Sequence, residues 1–252
     1  MIRSVYTAGQ SLVANTARQL RLSNNITNVA TPGYRQDVTT NGYFDGLLLS
    51  AMFPGEGAVR EGPIGVLGVQ MGVQNGPISL EQGPLQETGN PLDMAIFGDG
   101  FFTVQTSTGL EYTRDGRFSR DPNGQLITLD GSQVLGNNGP IMLPTGDVSV
   151  TEQGDVMVGD RVIDRLQLAS FAPTVELKKV GFNRMQPVDP TATSGVATPR
   201  IQAGFVEGSN VDLSQSMVEM MSVYRAYEVA SRTVQMLDRT MSLSVQQVGQ
   251  VR

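Results

Sequence analysis

The sequence predicts an α+β protein in which two long terminal helices, paired like the helices of a coiled coil, flank a central all-β domain rich in turns. Apolar residues recur every three or four positions at both ends of the chain, as they do in amphipathic helices. All 13 prolines and nearly all of the 29 glycines lie between residues 32 and 208. Because Pro and Gly interrupt helices, this middle part must consist of short strands and tight turns.

The C-terminal helix is expected from Asp212 to about Val248, a stretch that contains neither Pro nor Gly. Asp212 can cap the free N–H groups of the first turn, and Gln215 completes a pair typical of a capping box. The main apolar stripe repeats at about 3.5 rather than 3.6 residues, which favours a left-handed wrap around another helix. The stripe consists of Leu213, Met217, Met220, Tyr224, Tyr227, Val234, Leu237, Met241, Val245 and Val248.

A second set of apolar residues lies on the opposite face of this helix: Val218, Val229, Met236 and Leu243. Arg225, Arg232 and Arg239 flank this second face at regular heptad spacing. Two interpretations are open. Scattered surface hydrophobes are normal on any protein, whereas a helix that packs on one partner should be polar on its far side. The second interpretation predicts a helix with neighbours on two sides.

The N-terminal helix is expected from Ile2 to about Asn28 and must end before Pro32, because proline disfavours helical geometry in the preceding residue. It contains Arg but no acidic residue, whereas the C-terminal helix contains Glu219, Glu228 and Asp238. We therefore expect the two helices to pair. The apolar stripe of the N-terminal helix consists of Ile2, Val5, Tyr6, Leu12, Val13, Thr16 and Leu20.

Four segments follow from these patterns: 1–35 and 209–252 as helical ends, 36–92 as an extended connector, and 93–208 as the β-rich domain. The part of the connector between residues 43 and 89 fits either edge strands or an extended packing arm. Within the β-rich domain, short alternating runs predict a small barrel or sandwich. Residues 162–171 and 201–206 each predict one strand, and residues 173–199 predict a loop.

Composition excludes several classes of function. The net charge of −6 argues against a nucleic-acid partner. No run of apolar residues is long enough for a membrane span. Cys and His are absent, which removes the commonest transition-metal ligands and proton shuttles. We predict no catalytic, cofactor-binding or metal-binding residue.

Two patterns imitate functional sites. The string Gly98-Asp99-Gly100 begins like a dinucleotide fingerprint, but a predicted strand follows where a helix is required. Four carboxylates stand beside turn residues, where Asp is ordinary turn chemistry. They are Asp115, Asp121, Asp130 and Asp155.

Three strings, in the same order along the chain, resemble the flagellar rod and hook family of bacterial axial proteins. The first runs from Asn24 to Arg35, although Thr27 stands where the family usually has Ala. The second joins Ile96–Phe102 to Tyr112–Phe118, and the third begins with Glu207-Gly208-Ser209-Asn210 and continues into the C-terminal helix. Together these strings span nearly the whole chain.

The resemblance implies a non-enzymatic structural subunit of the flagellar basal-body rod. Such a subunit assembles with copies of itself and with other rod and hook proteins, after passage through the flagellar export apparatus. This route agrees with an N-terminus that lacks the features of a secretory signal. Whether the chain is a distal or a proximal rod subunit stays open. The alternative is another extracellular β-domain on a coiled-coil stalk, such as an adhesin or a phage-tail component; a secreted carbohydrate-active enzyme is a third, weaker possibility.

Two groups of residues are expected to carry assembly. The signature group is Asn24, Asn25, Asn28, Thr31, Gly33 and Tyr34. The expected subunit interface is Val5, Leu12, Leu20, Leu213, Met217, Val218, Met220, Tyr224, Tyr227, Val229, Val234, Met236, Leu237 and Met241.

Overall fold

The computed structural model describes residues 2–43, 47–53, 60–67, 71–172, 175–189, 195–196 and 200–249. The chain divides into two compact units. The helical unit comprises Met1–Ile26, Val38–Gly76 and Leu213–Arg252, and the β-rich unit comprises Thr27–Asp37 and Pro77–Asp212. The structure confirms the α+β class, with one long helix at each end and a β-rich middle.

Helices α1 (Ile2–Thr27) and α2 (Leu213–Gly249) begin and end within a residue or two of the expected positions. The described residues of the segment 36–78 form four strands. Strand β2 pairs antiparallel with β3, and β1 pairs with β4. The four strands are β1 (Asp37–Tyr43), β2 (Leu47–Phe53), β3 (Arg60–Leu67) and β4 (Met71–Ile78).

Most of the less exposed side chains of α2 recur at steps of four and three residues, as in a heptad pattern. Val223 and Ala230 belong to this stripe, although the sequence pattern did not include them. Met217 and Tyr224 are exposed, although the pattern did include them. The stripe consists of Ser216, Met220, Val223, Ala230, Val234, Leu237, Met241 and Ser244, whereas Tyr227, which falls at the same spacing, is exposed.

Helix α1 has a less exposed stripe of the same period. Val5 and Leu12 lie on it as expected, whereas Leu20 is exposed. The stripe consists of Val5, Ala8, Leu12, Asn15, Gln19, Leu22 and Ile26.

The β-rich unit contains the remaining strands. They are β5 (Leu85–Glu87), β6 (Met94–Phe97), β7 (Phe101–Thr106), β8 (Gly109–Thr113), β9 (Phe118–Arg120), β10 (Leu126–Thr128), β11 (Gln133–Gly136), β12 (Gly139–Pro140), β13 (Val148–Val150), β14 (Asp155–Val158), β15 (Arg161–Arg165), β16 (Leu168–Ser170), β17 (Leu177–Gly181), β18 (Arg184–Pro187), β19 (Gly195–Val196), β20 (Arg200–Ala203) and β21 (Phe205–Glu207).

A ten-stranded sheet forms the centre of this unit, with the path β17-β18-β8-β7-β11-β10-β9. Strand β7 lies in its middle, and β16 also pairs with it. Strands β13, β14 and β15 form a separate meander, and two further pairs join β20 to β6 and β21 to β5. These last two pairs join the end of the β-rich unit to its beginning.

Both faces of β7 are buried, which explains its apolar double Phe. Side chains alternate across a strand, so Phe102 enters one core cluster with Val104 while Phe101 enters another with Tyr112. Phe102 packs edge-to-face on Phe118, with ring centroids 5.0 Å apart.

The expectation of a loop over residues 173–199 is wrong. Its described part contains the hairpin of β17 and β18, and β18 pairs with β8 of the central sheet. Leu177 and Met185 are buried in the cluster around Phe101. The residues between Leu177 and Met185 are mostly polar or basic. In the sequence, only these two apolar side chains indicate the strands.

Two expected single strands are each divided in the structure. Residues 162–171 supply β15 and β16, which belong to different sheets. Residues 201–206 supply parts of β20 and β21, and between them Gly204 takes a positive φ of 79°. Glycine adopts this backbone geometry without steric cost, and the change of direction lets the two strands pair with different partners.

Because most apolar side chains of α2 are exposed, we expect its amide hydrogens to exchange faster in dilute protein than those of strands β7 and β8. Hydrogen exchange followed by mass spectrometry measures this difference. Equal protection of Met217–Met241 and of the central sheet would contradict the expectation.

Candidate functional site

The three strings that carry the family resemblance meet at one buried carboxylate. Glu207 closes strand β21, Arg35 ends the first string, and Arg114 follows strand β8 in the second. Arg35 Nη2 lies 2.8 Å from Glu207 Oε1, and Arg114 Nη1 lies 2.9 Å from Oε2. The three side chains are between 1% and 2% exposed.

Each member of this Arg35–Glu207–Arg114 cluster also forms a hydrogen bond with a backbone group. The Gly83 N–H donates to Glu207 Oε1 at 2.9 Å, and Arg35 Nη1 donates to the Glu81 carbonyl oxygen. Arg114 Nη2 donates to the Gly98 carbonyl oxygen at 2.6 Å. The Gly98-Asp99-Gly100 turn is therefore a structural turn that the arginine fixes.

Burial and the nearby carboxylate have opposite effects on the pKa values of the two arginines in this cluster. Burial lowers the pKa of the Arg35 guanidinium to about 10, while the Glu207 carboxylate acts in the opposite direction. Burial also lowers the pKa of Arg114, again against Glu207. Burying a charge is costly unless it is paired and hydrogen-bonded. Glu207 is therefore the main compensating charge for two buried cations, and Asp99 adds a smaller electrostatic contribution to both.

The signature string reaches this cluster through a tight turn. The Tyr34 N–H donates to the Thr31 carbonyl oxygen at 3.3 Å, with Pro32 and then Gly33 between them. Gly33 has a φ of 70°, as the third residue of a type II turn requires. Its N–H donates to the Glu207 carbonyl oxygen at 2.7 Å. A Cβ at this position would lie 2.7 Å from the Arg114 carbonyl carbon.

Asn210 joins the third string to the first. Its Oδ1 accepts a hydrogen bond of 2.7 Å from the Gln36 N–H. Its Nδ2 donates to the carbonyl oxygens of Ser79 and Glu81, at 3.3 and 2.9 Å. One side chain thus connects three segments of the β-rich unit.

The hairpin of β17 and β18 holds the signature string from another side. Asn183 Nδ2 donates to the Pro32 carbonyl oxygen at 3.0 Å. The Lys179 ammonium lies 4.0 Å from the centre of the Tyr34 ring and 2.8 Å from Asp37 Oδ1. Burial lowers the pKa of Lys179, and Asp37 opposes this shift. Burial also raises the pKa of the Tyr34 hydroxyl.

The structure divides the predicted signature residues between the two units. Asn24 and Asn25 lie in the last turns of α1, and Asn25 is fully buried. In the β-rich unit, Thr31 Oγ1 lies 3.2 Å from Asn28 Oδ1, and both residues line a cleft of about 430 Å³.

The predicted interface residues fall into two groups. Six of them lie on the half-buried stripes of α1 and α2: Val5, Leu12, Met220, Val234, Leu237 and Met241. The others are exposed: Leu20, Leu213, Met217, Val218, Tyr224, Tyr227, Val229 and Met236.

Several residues of this site were absent from the predicted groups. Arg35, Arg114 and Glu207 each lie in one of the three strings that resemble the family. Their place in those strings was the sequence signal that could have identified them as site residues. Lys179 and Asn183 carry no such signal, because they lie in the segment that was expected to be a loop.

In the described part of the chain, the turn carboxylates form ion pairs and hydrogen bonds that stabilise the fold. Asp115 makes a two-point contact with Arg117, and Asp155 makes one with Arg165. Asp130 accepts hydrogen bonds from hydroxyl groups on both sides of its turn. No group of three or more Asp or Glu side chains among the described residues could hold a metal ion.

Neither described helix has the combination of length and hydropathy that crossing a membrane requires.

Two family models match the chain on the segments that build this site. The model of the flagellar hook protein FlgE/F/G D1 domain matches residues 95–158, which include Arg114. The model of the flagellar basal body rod FlgEFG protein C-terminal matches residues 202–246, which include Glu207 and most of α2.

Similar proteins match over nearly the whole chain. The flagellar basal-body rod protein FlgG of Bacillus subtilis is 32% identical, over 93% of this chain and 94% of that protein. FlgG of Buchnera aphidicola subsp. Schizaphis graminum is 31% identical, over 95% and 97%. The chain belongs to the flagellar basal-body rod family. The flagellar basal-body rod protein FlgF of Caulobacter vibrioides is 35% identical to this rod protein, over 69% and 72%.

Family membership confirms the rod interpretation of the sequence. This rod protein is a structural component of the flagellar basal body, and its family assembles with other rod and hook proteins there. Family membership therefore favours the rod interpretation over the alternative of an unrelated β-domain on a coiled-coil stalk.

Glu207→Gln should destabilise the β-rich unit by about 3–5 kcal/mol, because it removes the paired carboxylate of two buried arginines. Urea unfolding followed by circular dichroism measures the loss. Glu176→Gln is the matched control: Glu176 is exposed in the same unit, so its change should stay within about 0.5 kcal/mol. A loss of similar size in both variants would contradict a special role for Glu207.

Gly33→Ala should cost at least about 1–2 kcal/mol, because an L-residue is disfavoured at positive φ and the added Cβ meets backbone. Gly9→Ala makes the same chemical change inside α1, where a Cβ meets nothing within 4 Å. That control should be neutral or stabilising by up to about 1 kcal/mol. Thermal unfolding of both variants tests the pair; equal effects would mean that the turn does not depend on glycine.

Proposed function

We propose that this rod protein assembles with copies of itself through α1 and α2, which pair as a coiled coil in the assembled rod. The β-rich unit then forms the outer part of each subunit. The work of the assembly is mechanical and needs no catalysis: it transmits torque and continues the channel through which later subunits travel. The flagellar export apparatus delivers the chain before assembly.

The observation that carries this proposal is the exposed apolar surface of the two helices. Val229, Met236 and Leu243 follow one another at intervals of seven on α2, and all three are more than half exposed. In a single subunit such a face should be polar. Burial of each side chain in an assembly is worth about 1.5–3 kcal/mol.

Helix α1 has a second stripe of the same kind. Tyr6, Val13 and Leu20 also follow one another at intervals of seven, and all three are exposed. Each helix therefore has one half-buried stripe and one exposed stripe. The half-buried stripes are suited to the pairing of α1 with α2, and the exposed stripes are suited to neighbouring copies.

Assembly through these stripes has a defined symmetry. A contact between one stripe and a different stripe on the next copy is heterologous, and heterologous contacts produce rings or open helical filaments. A structural rod requires the open form. The proposed division of the chain is thus 1–35 and 209–252 for assembly, 93–208 for the outer domain, and 36–92 for the connector.

Val229→Glu and Met236→Glu should each remove the protein from isolated basal bodies while the β-rich unit stays folded. Both positions are exposed in the single subunit, so the free energy of unfolding should change by no more than about 0.5 kcal/mol. In the assembly, the same change buries a carboxylate, which is costly. Immunoblots of basal bodies, electron microscopy of rods and swimming assays measure the effect.

Gln235→Glu is the matched control, since it adds the same charge at an exposed polar position of the same helix. Rods that contain this control but neither of the two stripe variants support the proposal. Normal incorporation and motility of both stripe variants, at normal protein levels, would mean that α2 has a single working face.

A further inference from the structure

The half-buried stripe of α1 contains two amide side chains among apolar ones. Asn15 and Gln19 fall at the same three- and four-residue steps as Leu12 and Leu22, and both are half-buried. In the part of the chain that the structure describes, neither amide forms a hydrogen bond through its side chain. A polar group that is removed from water costs free energy unless it is hydrogen-bonded. Packing of this stripe on another helix therefore requires partners for its amides.

Tyr227 of α2 is a matching feature. It falls at the spacing of the half-buried stripe of α2, between Val223 and Ala230, yet it is 36% exposed. Among the described residues, none forms a hydrogen bond with its hydroxyl group. The other polar side chains at this spacing, Ser216 and Ser244, lie near the two ends of the described helix. Tyr227 thus supplies the hydrogen-bonding group in the middle of this stripe.

The chain connections favour an antiparallel pairing of the two helices. Helix α1 ends at Thr27, and α2 begins at Leu213. The segments that flank these two ends meet a few residues away, where the Gly33 N–H donates to the Glu207 carbonyl oxygen at 2.7 Å. Short connections join antiparallel helical neighbours. The end of α1 is therefore expected beside the start of α2.

An antiparallel pairing of the two stripes allows few registers. Because both spacings have a period of seven residues, the stripes face each other only in registers that differ by seven residues. In the register that begins with Ile26 opposite Ser216, each position of the α1 stripe faces a position of the α2 spacing. The resulting pairs are Ile26–Ser216, Leu22–Met220, Gln19–Val223, Asn15–Tyr227, Leu12–Ala230, Ala8–Val234 and Val5–Leu237.

Only this register gives Asn15 a hydrogen-bonding partner. A shift of one heptad in either direction places Asn15 opposite Met220 or Val234, whose side chains offer no hydrogen bond to an amide. The shift towards the start of α2 would bring Gln19 to Ser216, but it leaves Asn15 opposite a methionine.

We propose that a hydrogen bond between the Asn15 amide and the Tyr227 hydroxyl fixes the register of α1 against α2 of the same chain. This proposal rests on the proposed helix pairing and adds the residues that select one register. A polar residue in an otherwise apolar stripe specifies register at some cost in stability. A shifted register moves one helix by about 10 Å along the other, which displaces the exposed stripes that neighbouring copies would contact.

The first test uses cysteine pairs, since the chain contains no Cys of its own. Leu12→Cys is combined with Ala230→Cys for the proposed register, and with Val223→Cys or Leu237→Cys for the two shifted registers. A disulfide spans at most about 7 Å between Cα atoms, which is less than a one-heptad step. In isolated basal bodies, oxidation should close the 12–230 pair within one chain at least about tenfold more often than either shifted pair. Non-reducing electrophoresis and mass spectrometry of the linked peptides measure the yields.

Asn15→Leu and Tyr227→Phe each remove one partner of the proposed hydrogen bond. Either change should bring the yield of a shifted pair to within about twofold of the 12–230 pair, and the double variant should go no further, because the two residues act as one unit. Gln10→Leu is the matched control: it also replaces an amide by Leu, but outside the stripe of α1. This control should keep the preference for the 12–230 pair.

The outcomes separate the register from the pairing. A preference for the 12–230 pair that survives both Asn15→Leu and Tyr227→Phe would overturn the register role and leave the helix pairing intact. A preference for a shifted pair in the otherwise unchanged chain would overturn it too, as would equal effects of Gln10→Leu and Asn15→Leu. Disulfides only between chains, or in none of the three pairs, would contradict the pairing in the proposed function as well.

A second measurement needs no cysteine and applies where a cysteine pair prevents incorporation. Asn15→Leu should lower the amount of the protein in basal bodies at least about threefold, because subunits in a shifted register present displaced stripes. The exchange of Asn15→Tyr together with Tyr227→Asn keeps the two groups opposite each other, so it should restore the amount to within about twofold. Normal incorporation of Asn15→Leu, or no recovery in the exchanged chain, would overturn the proposal.

Discussion

The pairing of one buried carboxylate with two buried arginines is the interaction on which the β-rich unit depends. Glu207 carries a charge that Arg35 and Arg114 both need, and the three residues come from three distant strings. A buried cation without a partner is strongly destabilising, so the cluster acts as a requirement that all three strings be in place. Its main effect is therefore specificity: it determines which segments must meet.

The two units are stabilised in different ways. The β-rich unit has its own core, with Phe101 and Phe102 on opposite faces of the central strand β7. Helices α1 and α2 instead keep much of their apolar surface exposed. A structural subunit needs both properties, because one part must hold its shape alone while another must still have surface to bury on assembly.

The sequence predicted the parts of the fold that repeat locally. Apolar residues at helical spacing placed α1 and α2, and α2 begins at Leu213, directly after the Asp212 that was expected to cap it. The β17–β18 hairpin could not be predicted, because its strands alternate weakly and its order depends on pairing with β8. The buried cluster could not be predicted either. Charged residues are usually exposed, and Arg114 and Glu207 are 93 positions apart.

The position of Glu207 near the end of the β-rich unit also sets an order in time. During synthesis both arginines are made well before their shared carboxylate, and the Gly83 N–H precedes its acceptor by 124 positions. Gln36 likewise precedes its partner Asn210 by 174 positions. When synthesis has reached only strand β20, the chain contains both arginines but not the carboxylate that pairs with them. The contacts that complete the β-rich unit can therefore form only after most of the chain has been synthesised.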